Sequence, residues 1–290
     1  MYQPKTDLSG KEKMVKPISS ELVLRFNSAL ILAAISLTAT YAGPETFGLF
    51  ILCVSVLMSW EWCRVVRGRN FDAIFLLQIA AVISAGFLTL HGWPATAIGV
   101  IAVAAWASFW VQERLGLKSD PWWSAAGFYY AGLPSIALIA IRQDPDYGFH
   151  AILYLFLVVW SADTGAFFTG RLIGGPKLAP VISPNKTWSG FIGGALAAGC
   201  AGTLFAIWLG RTSVPMLAFV SIVLAIVSQA GDLGESFLKR AFGVKNSSGL
   251  IPGHGGVLDR LDGLVLAAMG AGLIAVMYDR LAPGRALLIW

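Results

Sequence analysis

Asp163, Asp232, Glu235, Asp259 and Asp262 all lie within or at the ends of strongly apolar segments of this sequence. An ionised side chain at the centre of a bilayer costs about 2.5–3.5 kcal/mol on insertion scales, and less near the interface. A cluster of such anions needs a cation or basic partners to offset it. Spacing sharpens the reading. Asp232, Glu235, Ser236 and Lys239 fall at i, i+3, i+4 and i+7, so they share one helix face. Asp259 and Asp262 are i, i+3 neighbours, and two carboxylates one turn apart repel unless a cation bridges them. Hard divalent cations with oxygen ligands fit, and Mg²⁺ usually keeps waters and substrate phosphates as further ligands. Asp232, Asp259 and Asp262 are therefore the expected metal ligands, with one or two Mg²⁺ ions. A lone aspartate would more simply pair with Arg260 or a nearby lysine. Three of them around a glycine-rich loop favour metal. Glu235 stays open between the site and a pair with Lys239 on its own helix. Glu61, close to Arg64, reads as a structural ion pair at a helix end.

Two further segments suit phosphate. Ser183-Pro184-Asn185-Lys186-Thr187 precedes an apolar run. Serine at an N-cap followed by proline at the first helical position is a helix-start signal. A helix N-terminus presents free N–H groups to an anion, and Lys186 and Thr187 add a charge and a hydroxyl. This is not a P-loop, because the Gly-Lys-Ser/Thr ending is missing. Alone it reads equally as a capped helix with a snorkelling lysine. Pro252-Gly253-His254-Gly255-Gly256 is sharper. Its glycines let backbone approach a ligand closely, at a cost in chain entropy. His254 is open to three roles: phosphate contact, proton donor or metal ligand. Lys239, Arg240, Lys245 and Arg260 surround this loop. Cations facing carboxylates in this way compose a metal–polyphosphate site.

These residues need a membrane scaffold. Of 290 residues, 57% are hydrophobic and only 13% are charged. A soluble domain carries about a quarter charged residues, so lipid must solvate much of this chain. The 32 glycines suit close helix approach in a bilayer. The composition predicts an all-α, polytopic bundle of about nine spans. The candidates are 22–41, 45–63, 72–90, 94–112, 121–141, 148–170, 188–209, 213–238 and 257–279. Three regions follow: a polar tail at 1–21, plain spans over 22–147, and a site-bearing region over 148–290. Residues 28–42 have the character of a signal-peptide core, but the long polar segment before them and the apolar segments after them argue against cleavage. Cytoplasmic loops collect Lys and Arg. With the N-terminus inside, only Arg142, Arg211, Arg280 and Arg285 of the 21 basic residues fall outside. Nine spans then put the C-terminus outside and the carboxylates at the cytoplasmic face. Cys53, Cys63 and Cys200 sit far apart in apolar runs and form neither a disulfide framework nor a zinc site. The net charge of +5 reflects cytoplasmic loops and not a nucleic-acid surface.

At these motifs the chain resembles the bacterial phosphatidate cytidylyltransferases, or CDP-diacylglycerol synthases. The family pattern runs Ser-x-x-Lys-Arg, Lys-Asp, Pro-Gly-His-Gly-Gly and Asp-Arg-x-Asp. Here it reads Ser236, Lys239 and Arg240; Lys245-Asn246; Pro252 to Gly256; and Asp259-Arg260-Leu261-Asp262. Ala162 to Ala166 and Ser183 to Trp188 are also similar to family segments, so the resemblance covers roughly 160–265. Asn246 departs from the usual Asp, and Gly263 stands where many relatives have Ser. The resemblance implies that CTP and phosphatidate give CDP-diacylglycerol and pyrophosphate. It also implies Mg²⁺, a homodimer and a bacterial inner membrane. Asp232, Asp259, Asp262, Lys239, Arg240 and His254 are the expected catalytic set. Asp163, Ser183, Lys186, Thr187, Ser236, Lys245, Asn246, Gly255, Gly256 and Arg260 are expected to bind substrate. A related transferase acting on another lipid phosphate fits the same motifs. Ion-coupled transporters also carry buried carboxylates and interrupted helices. They need those acids near the midplane and often internal repeats, and no repeat is visible here.

Overall fold

The computed structural model describes residues 18–290 apart from Lys118, Arg211 and His254. Nine long helices run in chain order: α1 (Ile18–Tyr41), α2 (Pro44–Arg67), α3 (Ala73–Leu90), α4 (Pro94–Leu115), α5 (Pro121–Arg142), α6 (Gly148–Leu172), α7 (Trp188–Leu209), α8 (Val214–Ala241) and α9 (Leu258–Asp279). A short α10 (Pro283–Leu288) follows. Eight of them, α2 to α9, are long and apolar enough to cross a membrane. The apolar part of α1 among the described residues is Asn27–Tyr41.

Local chemistry sets the boundaries. Proline stands in the first turn of α2, α4, α5, α8 and α10, where its missing N–H costs nothing. Asp72 and Asp120 cap α3 and α5 through their side chains. Gly68, Gly116 and Gly210 close α2, α4 and α7 in the left-handed conformation.

One departure from the all-helical expectation is small. Lys177–Ala179 (β1) and Ser183–Thr187 (β2) form an antiparallel hairpin, paired Lys177 to Thr187 and Ala179 to Ser183. Ser183 is therefore not an N-cap. Pro184 lies within β2, and α7 starts at Trp188 with Thr187 as its cap. The Thr187 hydroxyl accepts from Gly190 N at 3.1 Å.

The core centres on α6, whose Ile152, Leu155, Val158 and Ala162 are fully buried. A second cluster joins α3, α4 and α5 through Ile74, Ile101 and Phe128. Large apolar side chains such as Val103, Trp106, Leu204 and Ile207 are exposed on the outside. That pattern suits lipid contact and would be unstable in water.

Candidate active site

The site begins where α8 crosses α9. A Cβ on Gly231 would lie 2.5 Å from the backbone oxygen of Asp262, and one on Gly263 would lie 2.5 Å from Ser228 Oγ. Any larger residue would force the helices apart. Asp232 and Asp262 flank this crossing. Asp262 interacts electrostatically with both Asp232 and Asp163, and with Arg260. Asp163, on α6, feels Asp232, Lys186 and Arg260. Lys186 reaches in from β2, its Nζ 2.6 Å from Asp232 Oδ2. Asp163 is exposed, while Asp232 and Asp262 are half-buried. Three helices and the hairpin thus build an open crevice with three carboxylates, an ammonium and a guanidinium.

A second, closed network adjoins it. Asp259 is buried and its oxygens are fully engaged. Oδ1 accepts from Lys239 Nζ at 2.7 Å, and Oδ2 accepts from Ser247 N, Ser247 Oγ and Gly256 N at 3.0, 3.0 and 2.8 Å. Lys239 Nζ also lies 2.5 Å from Glu235 Oε2 one turn back on α8. Glu61, on α2, is 0% exposed. It shares the single Ser247 hydroxyl proton with Asp259, at 2.9 Å, and accepts from Ser248 Oγ, Val257 N and Leu258 N at 2.5, 2.9 and 2.7 Å. A buried carboxylate is tolerable only with such a complement of donors. The last two donors are the orphan N–H groups that open α9, so Glu61 also sits at the positive end of that helix. Gly255 and Gly256 make this possible. Gly255 has φ +84, and its Cβ would lie 2.5 Å from Asp259 Oδ2. A Cβ on Gly256 would overlap Ser247 Oγ and Glu61 Oε1.

The cytidylyltransferase family profile matches residues 23–278. The chain belongs to the cytidylyltransferase family. A phosphatidate cytidylyltransferase of Brucella suis is 43% identical over 260 residues, which are 86% of this chain and 91% of that protein. Its counterpart in Haemophilus influenzae is 33% identical over 273 residues, 84% of this chain and 94% of that protein. A phosphatidate cytidylyltransferase of Staphylococcus haemolyticus is 48% identical over 134 residues, 46% of this chain and 50% of that protein.

The residues expected from the family motifs divide between the two networks. Lys186 contacts Asp232 in the crevice, with Asp163, Asp262 and Arg260 within electrostatic reach around them. Asp259 and Lys239 belong to the closed network, with the Gly256 N–H turned onto Asp259. Asp232, Asp259 and Asp262 thus do not converge as one set. Among the described residues no three His, Cys, Asp or Glu side chains meet closely enough to hold an ion unaided. Arg240 is exposed, and its Nε donates to Ile182 O at 3.4 Å, tying α8 to the hairpin turn. Ser236 is half-buried on α8; Lys245 and Asn246 are exposed in the loop before α9. Asn246 Cβ packs 3.6 Å from where a Gly255 Cβ would stand. Ser183 and Thr187 belong to β2, and His254 lies outside the described residues.

Two residues escaped the sequence reading. Glu61 does not pair with Arg64, whose guanidinium lies 4.9 Å over the Trp60 ring. An acidic residue between two tryptophans in an apolar helix was the available signal. Tyr130, on α5, had none. Its hydroxyl is buried without a hydrogen-bond partner, within electrostatic reach of Asp262, Glu235, Asp232 and Asp259. Those carboxylates are drawn from both the crevice and the closed network.

Proposed function

We propose that this chain transfers the cytidylyl group of CTP to phosphatidate, giving CDP-diacylglycerol and pyrophosphate. The observation that carries the reading is the crevice at the α8–α9 crossing, where three carboxylates meet Lys186 and Arg260 in a member of the cytidylyltransferase family. A phosphate oxygen of the lipid attacks the α-phosphorus of CTP. The bond from that phosphorus to the β-phosphate bridging oxygen breaks, and pyrophosphate leaves with the electron pair. The lipid phosphate is already anionic at neutral pH, so no strong general base is needed. The task is to bring two anions together and stabilise charge on the leaving group. Lys186 and Arg260 line the crevice for that purpose, and the exposed Arg240 and Lys245 lie beside it for the outer phosphates or the lipid headgroup. Lys239 is neutralised by Glu235 and Asp259, so it ties the first turn of α9 to α8.

Asp163, Asp232 and Asp262 are hard oxygen donors of the kind Mg²⁺ takes. The Lys186 ammonium seated on Asp232 marks the crevice as a place that accepts positive charge. With fewer than three of these side chains converging, an ion there would draw its remaining ligands from the triphosphate and water. When bound, Mg²⁺ would offset the charge that develops on pyrophosphate. Asp259, with both oxygens engaged, would support the ion from behind the crevice wall.

We assign the crevice and the N-terminus to the cytoplasm of a bacterial inner membrane, on the bias of basic residues toward that side. The family resemblance supports a homodimer. Purified protein in mixed micelles tests the reaction by release of pyrophosphate. Release that needs CTP, phosphatidate and Mg²⁺ together is expected. Release with another lipid phosphate but not phosphatidate would shift the reading to that sister reaction. Absence of any CTP-dependent release would overturn it.

A further inference from the structure

The ends of α2 and α4 carry buried hydrogen-bond donors that lack acceptors among the described residues. Arg67 closes α2. Its side chain is only 2% exposed, and its Nε donates to Asp72 Oδ2 at 2.7 Å. Asp72 is committed elsewhere as well, with Oδ1 accepting from Phe75 N at 2.7 Å to cap α3. Both terminal nitrogens of Arg67, Nη1 and Nη2, are buried with no partner. Gln112 on α4 has the same imbalance. Its Oε1 accepts from Ser119 Oγ at 2.9 Å and Ser124 Oγ at 3.4 Å, while its Nε2 is buried and unpaired. Arg67, Asp72 and Ser119 line one cavity of about 270 Å³, together with Val66, Arg69 and Leu117.

Of Arg67 and Gln112, Arg67 lines the cavity; its two orphaned nitrogens are charged donors, and leaving a charged donor unpaired costs more than leaving a neutral one. The missing partner is therefore an acceptor. Arg67 and Asp72 balance each other, so Arg69 leaves the cavity lining with net positive charge. The Nη1–Nη2 edge of a guanidinium matches two oxygens of a phosphate, a fit that water does not reproduce. We propose that this cavity binds a phosphate-bearing anion, at a site separate from the reaction crevice. Nη1 and Nη2 are shielded from solvent, so the anion reaches them by rearrangement of the cavity lining, of which the exposed Arg69 is part. The site lies on the same end of α2 as Glu61, six residues away, or about 9 Å along the helix axis.

Phosphate oxygens of this kind come from a lipid headgroup or from a free anion, and the test separates the two. The full chain is reconstituted in zwitterionic nanodiscs and titrated with inorganic phosphate by calorimetry. In parallel, phosphatidylglycerol retained by the protein is counted by native mass spectrometry. Arg67→Lys keeps a charge beside Asp72 but loses the fork. It is expected to weaken binding at least tenfold in one arm, the free anion or the lipid. Arg69→Gln, at an exposed position that needs no refolding of its surroundings, is expected to weaken the same arm severalfold. No binding in either arm would mean that water alone fills the cavity and would overturn the proposal. So would equal binding by the wild type and Arg69→Gln, because the anion would then sit in the reaction crevice.

Discussion

Replacing Glu61 by Gln tests whether a residue of the second helix holds the catalytic loop. Each carboxylate oxygen accepts one serine hydroxyl and one N–H of α9: Oε1 from Ser248 and Val257, Oε2 from Ser247 and Leu258. Glutamine turns one of those oxygens into an NH₂ donor. The serine opposite it can rotate and accept, but the backbone N–H cannot. One buried donor is left facing another, at about 1–3 kcal/mol. That corresponds to roughly a 5- to 150-fold loss in the population of the ordered loop. Glu61→Ala strands both backbone donors and leaves a void, for about 2–6 kcal/mol by the same reasoning. Hydrogen exchange over residues 244–258 reads the effect directly. Protection at Val257 and Leu258 should fall by the stated factor, while α6 stays unchanged. Pyrophosphate release should fall with it, because the loop holds Asp259 through Ser247 N and Gly256 N and leads into the first turn of α9, which carries Asp259 and Asp262. A folded Glu61→Gln protein with wild-type exchange at Val257 and Leu258 and wild-type turnover would refute the anchoring role.

Four other outcomes are expected. Asp262→Asn should insert and fold yet lose at least about a hundredfold in turnover, or 2.7 kcal/mol, and near-normal rates at limiting Mg²⁺ would remove it from the site. Tyr130→Phe deletes a buried hydroxyl that has no partner, so thermal stability should hold or rise while pyrophosphate release falls at least about fivefold, or 1 kcal/mol; a drop in stability with unchanged turnover would make the hydroxyl structural. Asn246→Asp restores a charge in the exposed loop and should change the rate by less than about tenfold, or 1.4 kcal/mol; a silent natural protein switched on by this change would make position 246 essential. Single cysteines near residues 67 and 247, in a cysteine-free background, should label only from the cytoplasmic side, and labelling of either from outside would reverse the orientation.

The helices were legible in the sequence because their signals are local. Proline, aspartate and glycine at the ends, with about twenty apolar residues between, fix each span without reference to any other. The same holds for the shared face of Asp232, Glu235 and Lys239, which the helical repeat dictates. What could not be read is which face meets which. Asp259 and Asp262 are one turn apart, yet Asp259 turns to Lys239, Ser247 and Gly256, and Asp262 turns to Asp232 and Asp163. The first turn of α9 is wedged between its own loop and the α8 crossing, so neighbours in sequence serve different networks. Glu61 was misjudged for the same reason: its partners lie 186 to 197 residues away, while Arg64 was near in sequence and plausible. The composition of the glycine-rich loop implies close backbone approach to a ligand, whereas the approach seen at Gly255 and Gly256 is to the protein's own carboxylates.

Helix length explains how such acids can live in a membrane protein. The 28 residues of α8 span about 42 Å, against a hydrocarbon core of about 30 Å. Standing along the bilayer normal, such a helix projects by about 12 Å. Lys239 and Arg240 occupy the last turn and cannot rest in lipid, so the overhang belongs at that end. Asp232 lies nine residues before Ala241, about 13 Å along the axis, which brings it to the edge of the hydrocarbon. Asp163 lies equally far from the end of the 25-residue α6 at Leu172, and a helix of that length overhangs by only about 8 Å, which leaves Asp163 about 6 Å inside the hydrocarbon edge and well short of the centre. The carboxylates thus avoid the cost of the bilayer centre, and Lys186 meets them from a hairpin outside it. A carrier that alternates access needs its ionisable groups near the midplane. A transferase joining a water-soluble nucleotide to a lipid phosphate needs them at the boundary, where both substrates can reach the same few ångströms.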